Sequence, residues 1–173
     1  MVVNNMDNGI CFLDIDGVVN ILNIEYKDKK FYTRYFFPED KKVNNTQALL
    51  WISKLCLEHN LDIIIASSWS RTCSQEELAE ILYSSGLVRE VKIVGTIGSK
   101  ERNIEINKII DSANLIENYV ILDDEEGYYR DDLNLQKHLI LCNGVYGFGF
   151  DKFIEAKEFL QNIQKDKSRV RSL

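Results

Sequence analysis

Residues 10–20 read Ile-Cys-Phe-Leu-Asp-Ile-Asp-Gly-Val-Val-Asn. The run Ile10 to Ile15 has the length and apolar content of a buried strand. Asp14 and Asp16 interrupt it at its end. They point the same way, because strand side chains repeat every two residues. Gly17 then lets the backbone turn away tightly. A D-x-D by itself is common by chance; its position gives it weight, since ligands of an open parallel sheet bind beyond the carboxyl ends of the strands.

Outward from this stretch, four more apolar runs read as strands: Leu61 to Ala66, Val91 to Val94, Tyr119 to Leu122 and His138 to Leu141. Helical patterns alternate with them. From Thr46 to Asn60, Ala48, Leu49, Ile52, Leu55 and Cys56 share one face. Ser74-Gln75-Glu76-Glu77 is a capping-box pattern, and its helix ends near Gly86. A third helix spans about Lys100 to Ala113 and a last one about Lys152 to Gln164. Alternating strands and helices imply a mainly parallel sheet covered by helices on both faces, a three-layer α/β domain.

The interval Asn20 to Val43 breaks the alternation and reads as a flap or small cap inserted after strand one. The basic tail after Lys165 reads as frayed. Without repeats or low-complexity linkers, one domain over residues 1–173 is the expectation.

Composition narrows the function. A net charge of -6 argues against a general nucleic-acid coat or a membrane-surface protein. No run nears the ~20 apolar residues that span a bilayer, and no signal peptide is evident. The four cysteines, Cys11, Cys56, Cys73 and Cys142, form no CxxC pair and suit a reducing compartment, so a cytoplasmic protein is expected. With only His59 and His138, a histidine-rich metal centre is disfavoured. His59 falls at a helix end, where a partial positive charge would suit the dipole.

Asp123-Asp124 stand directly after the Tyr119 to Leu122 strand, again at a carboxyl end. Adjacent carboxylates near Asp14 and Asp16 repel one another unless a cation lies among them. An all-oxygen donor set favours Mg2+ over zinc. Asp131-Asp132 reads instead as a helix start or solvent face. Ser67, with Ser68 beside it, follows a strand and could hydrogen-bond a phosphoryl oxygen. Lys100, with Arg102 close by, could neutralise phosphate and nucleophile.

The order D-x-D, Ser, Lys, Asp-Asp resembles the haloacid dehalogenase-like (HAD) phosphatase superfamily over about residues 10 to 150. FLDIDGVVN is similar to its first motif, IIIASS to its second, Lys100 to its third and VILDD to its fourth. SSW, RNIEI and NYVILDD resemble a group of small stand-alone or RNA-repair-associated HAD domains. The resemblance implies a Rossmann-like core with a short cap after strand one, and a phosphohydrolase in which Asp14 is the nucleophile and Asp16 the general acid and base. It implies Mg2+ held by Asp14, Asp16 (through its carbonyl) and Asp123, with Asp124 supporting. Ser67 would bind phosphoryl oxygens, and Gly17, Ser68, Arg71 and Arg102 would line the substrate. Lys100 is preferred as the third-motif cation, although RNIEI favours Arg102. The related group often has arginine directly after SSW; Ser70 stands there, with Arg71 next.

A receiver domain places its acidic pair early and its lysine late, the reverse of this order. A D-x-D glycosyltransferase would need a nucleotide-sugar domain. A catalytically silent binding module of the same fold, or a phosphotransferase to an acceptor other than water, uses the same residues. The expected partner is a phosphorylated small molecule or a nucleic-acid end. The flap interleaves Lys27, Lys29, Lys30, Arg34, Lys41 and Lys42 with Tyr26, Phe31, Tyr32, Tyr35, Phe36 and Phe37. That mixture suits a single strand by charge and stacking; the alternative is a flap packing its aromatics on the core.

Overall fold

The computed structural model describes residues 8–113 and 118–170. Its centre is a five-stranded parallel sheet of β1 (Gly9–Leu13), β4 (Leu61–Ala66), β5 (Ile93–Ile97), β6 (Tyr119–Asp123) and β7 (Leu139–Leu141), in the order β5-β4-β1-β6-β7. β2 (Asn23–Lys27) and β3 (Lys30–Arg34) form a separate antiparallel hairpin. The chain builds the sheet one way from β1 through β4 to β5, then crosses to β6 and β7. β1 therefore lies at the reversal of strand order, where an open α/β sheet leaves a crevice.

Side chains alternate across the sheet and divide the core in two. Leu13, Ile63, Ile65, Val120 and Leu122 pack with α1 (Thr46–His59), α2 (Gln75–Ser85) and α5 (Phe150–Val170). Ile10, Phe12, Ile64, Ala66, Tyr119 and Ile121 pack with Ile106 of α3 (Arg102–Ala113), Tyr129, and Leu135 of α4 (Leu133–Lys137). Full burial of each such Leu, Ile or Phe contributes roughly 1.5–3 kcal/mol. This is the expected three-layer Rossmann-like arrangement. The capping box at Ser74 and Glu77 forms, and Gly86 ends α2 at φ 125°.

Several boundaries differ from expectation. The edge strand runs Ile93–Ile97 rather than Val91–Val94, because Gly95, Thr96 and Ile97 pair with Ile64, Ile65 and Ala66 beyond an irregularity in register. α5 continues to Val170, past the expected end near Gln164; the rest of the tail lies outside the described residues. His138 caps α4 rather than starting β7; its ring stacks on Tyr119 at 3.8 Å between centroids. His59 ends α1, but burial pulls its pKa below the ordinary value and so disfavours the charge that would complement the dipole.

The flap is a hairpin turned through Asp28 and Lys29, both left-handed at φ 51° and 60°. Four of its aromatics stand clear of the core, with Tyr26, Phe31, Tyr32 and Phe37 65%, 76%, 49% and 57% exposed, while Tyr35 and Phe36 are half-buried. Below the hairpin the flap is stapled to the body. Ile21 N–H donates to Asn44 Oδ1 and Asn44 Nδ2 to the Ile21 carbonyl, both at 2.8 Å.

Candidate active site

The ladder between β1 and β6 extends one residue past β1, where Asp14 N–H donates to the Leu122 carbonyl at 2.9 Å. The chain then closes a tight loop: the amides of Val18, Val19 and Asn20 all reach the Ile15 carbonyl. Gly17, at φ 73°, is required there twice over. The backbone is left-handed, and a Cβ would collide with the Asp124 carboxylate. Gly17 thus makes room for Asp124, which ties the loop after β1 to the end of β6.

Asp14 is nearly buried. Its Oδ1 accepts from Ile15 N–H at 2.7 Å and its Oδ2 from Arg102 Nη1 at 3.0 Å. The same Nη1 bonds Asp123 Oδ2. Asp123 is also buried; its Oδ1 accepts from Glu125 N–H at 2.9 Å and its Oδ2 from the Tyr129 hydroxyl at 2.6 Å. The Arg102 guanidinium lies over the Tyr128 ring, 4.4 Å from its centroid. Arg102 is 4% exposed, so one buried cation bridges the ends of β1 and β6. Lys100 is exposed in the turn before α3, and no described contact joins it to the carboxylates. Of the two cations named for the third motif, Arg102 is the one set against the carboxylates, because α3 starts at Arg102 and directs that side chain to the sheet.

Asp16 is held from two sides. Asn20 Nδ2 donates to its Oδ1 at 2.6 Å and Trp69 Nε1 to its Oδ2 at 3.0 Å. Ser67, after β4, is 1% exposed. Its hydroxyl favours the charged form of Asp14 but makes no hydrogen bond of ordinary geometry, which leaves a buried donor beside the carboxylates. Ser68 is exposed. Arg71 Nε donates to the Gly98 carbonyl at 2.6 Å, which ties the turn after β4 to the loop after β5; no described contact joins Arg71 to the acidic group. Asp132 caps α4 through its Oδ1, as its position suggested.

Asn20, Trp69, Tyr129 and Tyr35 join the site without having been singled out for it. Asn20 and Trp69 lie inside the quoted runs DGVVN and SSW. Tyr35 comes from the flap: a Cβ on Gly144 would meet its hydroxyl at 2.7 Å and Asp124 Oδ2 at 3.0 Å. Burial, and then the charges of Asp124, Asp16 and Asp14, raise the Tyr35 pKa.

Electrostatics mark the group as short of positive charge. Burial, then the charge of Asp123, push Asp14 up to about 7 against the pull of Arg102. Burial and Asp123 push Asp124 up to about 6. Burial also raises Asp16, opposed by its bonds to Asn20 and Trp69. Burial disfavours the Arg102 charge, yet the two carboxylates outweigh it and its pKa is raised. One oxygen each from Asp14, Asp123 and Asp124 lies within 4.8 Å of the others. Three hard oxygen donors, unneutralised by their single arginine, fit a small divalent cation.

The family of the HAD domain in Swiss Army Knife RNA repair proteins matches residues 10–152. No curated protein and no solved structure gives a significant match. Among the described residues no helix is long and apolar enough to cross a membrane.

Proposed function

The chain belongs to the family of HAD domains found in Swiss Army Knife RNA repair proteins, and on that ground we propose that it is a Mg2+-dependent phosphomonoesterase working through an aspartyl-phosphate at Asp14. The observation that carries this reading is the meeting of Asp14 with Arg102, Asp123 and Asp124 at the carboxyl ends of the two central strands.

Asp14, Asp123 and Asp124 would hold the cation, with the Asp16 carbonyl as a further donor, and the ion would offset their charge and that of the phosphate. The remaining chemistry belongs to the chain. An Asp14 oxygen attacks phosphorus and the bond to the leaving oxygen breaks. Asp16 gives its proton to that oxygen, then takes one from the water that attacks the aspartyl-phosphate. Breakage of the bond between phosphorus and Asp14 releases phosphate and restores the carboxylate. Arg102 holds Asp14 in place and lessens its repulsion of the incoming dianion. The buried Ser67 hydroxyl is available to a phosphoryl oxygen.

A metal titration tests the ion separately from turnover. The metal-free carboxylates resist ionisation, so Mg2+ competes with protons for them. Mg2+ is expected to raise the thermal midpoint by several degrees at pH 8 and by little at pH 5, as measured by differential scanning fluorimetry. An equal shift at both pH values would detach the metal from this group.

For substrate, we propose a polynucleotide end. The flap carries six basic against four acidic residues within a chain of net charge -6. The Tyr26 and Phe31 rings, 4.9 Å apart at the exposed end of the hairpin, offer a stacking platform. The double change Tyr26→Ala, Phe31→Ala is expected to raise KM for an end-phosphorylated oligonucleotide about tenfold or more, at 1–3 kcal/mol per stacked base. Turnover of a small aryl phosphate should stay within about twofold. Steady-state kinetics on both substrates, at matched salt because phosphate contacts are salt-dependent, make the comparison. Equal KM on oligonucleotide for wild type and variant would remove the hairpin from substrate binding.

A further inference from the structure

Asn20 is completely buried at the point where the flap leaves the body. One hydrogen of its Nδ2 goes to Asp16 Oδ1 at 2.6 Å and the other to the Phe36 carbonyl at 2.9 Å. Its Oδ1 accepts from Phe36 N–H at 3.3 Å. Both amide hydrogens and the oxygen are thus engaged, and turning the amide over would set its oxygen against a carboxylate and a carbonyl. Its own backbone is fixed as well, since Asn20 N–H reaches the Ile15 carbonyl and its carbonyl accepts from Gly17 N–H. Of the two side chains that hold Asp16, Trp69 belongs to the turn after β4 and makes no described contact with the flap. Asn20 holds both Asp16 and the flap.

Phe36 is the flap residue next to Tyr35, whose hydroxyl adjoins Gly144 and Asp124. Arg34 and Lys42 both stand over the Phe36 ring, at 5.6 and 4.6 Å from its centroid. The flap thus meets the acidic group at two neighbouring residues, Tyr35 beside Asp124 and Phe36 through Asn20. The outer staple between Ile21 and Asn44 holds the flap root independently. The Asn20 bond is the inner connection, and it ends on the carboxylate that handles the proton.

From this we infer that Asn20 is a positioning residue that couples the flap to Asp16, so that the placement of the flap over the substrate sets the aim of the proton donor. The inference rests on the proposed role of Asp16 and adds to it a path by which the flap reaches that residue. The physical reason is alignment: a proton passes to the leaving oxygen only from a carboxyl held within hydrogen-bond reach. An acid released from one of its two holders spends less time in that pose.

Leaving-group dependence separates positioning from general structural support. An alcohol oxygen departs as a strong base and needs the proton, whereas a nitrophenol oxygen departs as a weak base and hardly does. Asn20→Ala is expected to lower kcat/KM for an alkyl phosphate about 30-fold, a part of the 10²–10⁴-fold that a fully aligned general acid supplies, and to change that for nitrophenyl phosphate less than about threefold. Asp16→Ala should show the same selectivity more strongly. Equal losses on both substrates, or none, for Asn20→Ala overturn the positioning role. If Asp16→Ala shows no such selectivity while Asp14→Asn is inactive, the proton role of Asp16 fails and takes this inference with it, leaving the nucleophile standing.

Hydrogen exchange reads the coupling in the other direction, in a variant that keeps Asn20. With Asp16 removed, Asn20 loses one of its anchors, and the Phe36 amide should exchange about threefold or more faster in Asp16→Ala than in wild type. That arm decides the matter even if Asn20→Ala does not fold. An unchanged Phe36 rate overturns the coupling.

Discussion

Asp14→Asn is expected to cut turnover by on the order of 10⁴-fold or more, and at the same time to stabilise the metal-free protein at pH 8. The first effect follows from removal of the attacking oxygen, for which a neutral amide is no substitute. The second follows from the same burial that prepares the site. In the folded chain Asp14 is pushed up to about 7, from an ordinary value of 3.8. Between those values the folded state keeps a proton that the unfolded state releases. The stability contributed by this group is therefore greatest below about pH 4 and is lost as pH rises to about 7. Asp124, pushed up to about 6, acts in the same direction. Asparagine carries no charge to bury, so the variant escapes the loss, and a gain of about 2 kcal/mol or more at pH 8 is expected. At pH 4 the difference should vanish. Urea denaturation in chelator at the two pH values, alongside the kinetic assay, checks both halves.

Arg102→Ala should produce the second largest effect, a loss of turnover on the order of 10²–10³-fold with a fall in stability of about 3 kcal/mol. Its Nη1 is the only described cation in contact with either Asp14 or Asp123. Without it two buried carboxylates face each other unpaired, and removal of one partner from a buried ion pair is far costlier than the pair is worth. Arg102→Lys should recover part of the activity, since one nitrogen makes both contacts, but not the stacking over Tyr128. Lys100→Ala should leave stability within about 0.5 kcal/mol and turnover close to wild type, as expected for an exposed side chain. A larger effect from Lys100 than from Arg102 would reverse the assignment of the cation.

These two lysine and arginine positions illustrate what could be read from the residues and what could not. The central strands and their acidic ends were legible, because Ile10 to Leu13, Leu61 to Ala66 and Tyr119 to Leu122 are apolar runs of strand length that stop at polar residues; the order of the strands in the sheet was not. Burial on both faces of a parallel sheet leaves that signature. The choice between Lys100 and Arg102 depends on where the first turn of α3 begins, and helix boundaries are poorly marked in sequence. Two residues along a helix start turn a side chain to a different face. The roles of Trp69 and Tyr129 arise from contacts across elements, with Asp16 and Asp123, which local pattern does not register. The hairpin was missed because its turn, Asp28-Lys29, lacks the glycine that usually marks a left-handed pair. Whether the flap's aromatics face solvent or core stayed open in the sequence, because local pattern does not show which neighbours are near enough to cover them.

The claim on which the rest depends is a covalent bond from Asp14 to phosphorus. The most direct measurement is to quench the protein during turnover with Mg2+, reduce it with borohydride, and locate the altered residue by peptide mass spectrometry. Borohydride converts an aspartyl-phosphate, but not a free aspartate, into homoserine. Conversion at residue 14, absent after chelation and absent in wild type without substrate, is the expected result. Steady turnover with Asp14 unaltered at every quench time, or conversion at another aspartate, would contradict it.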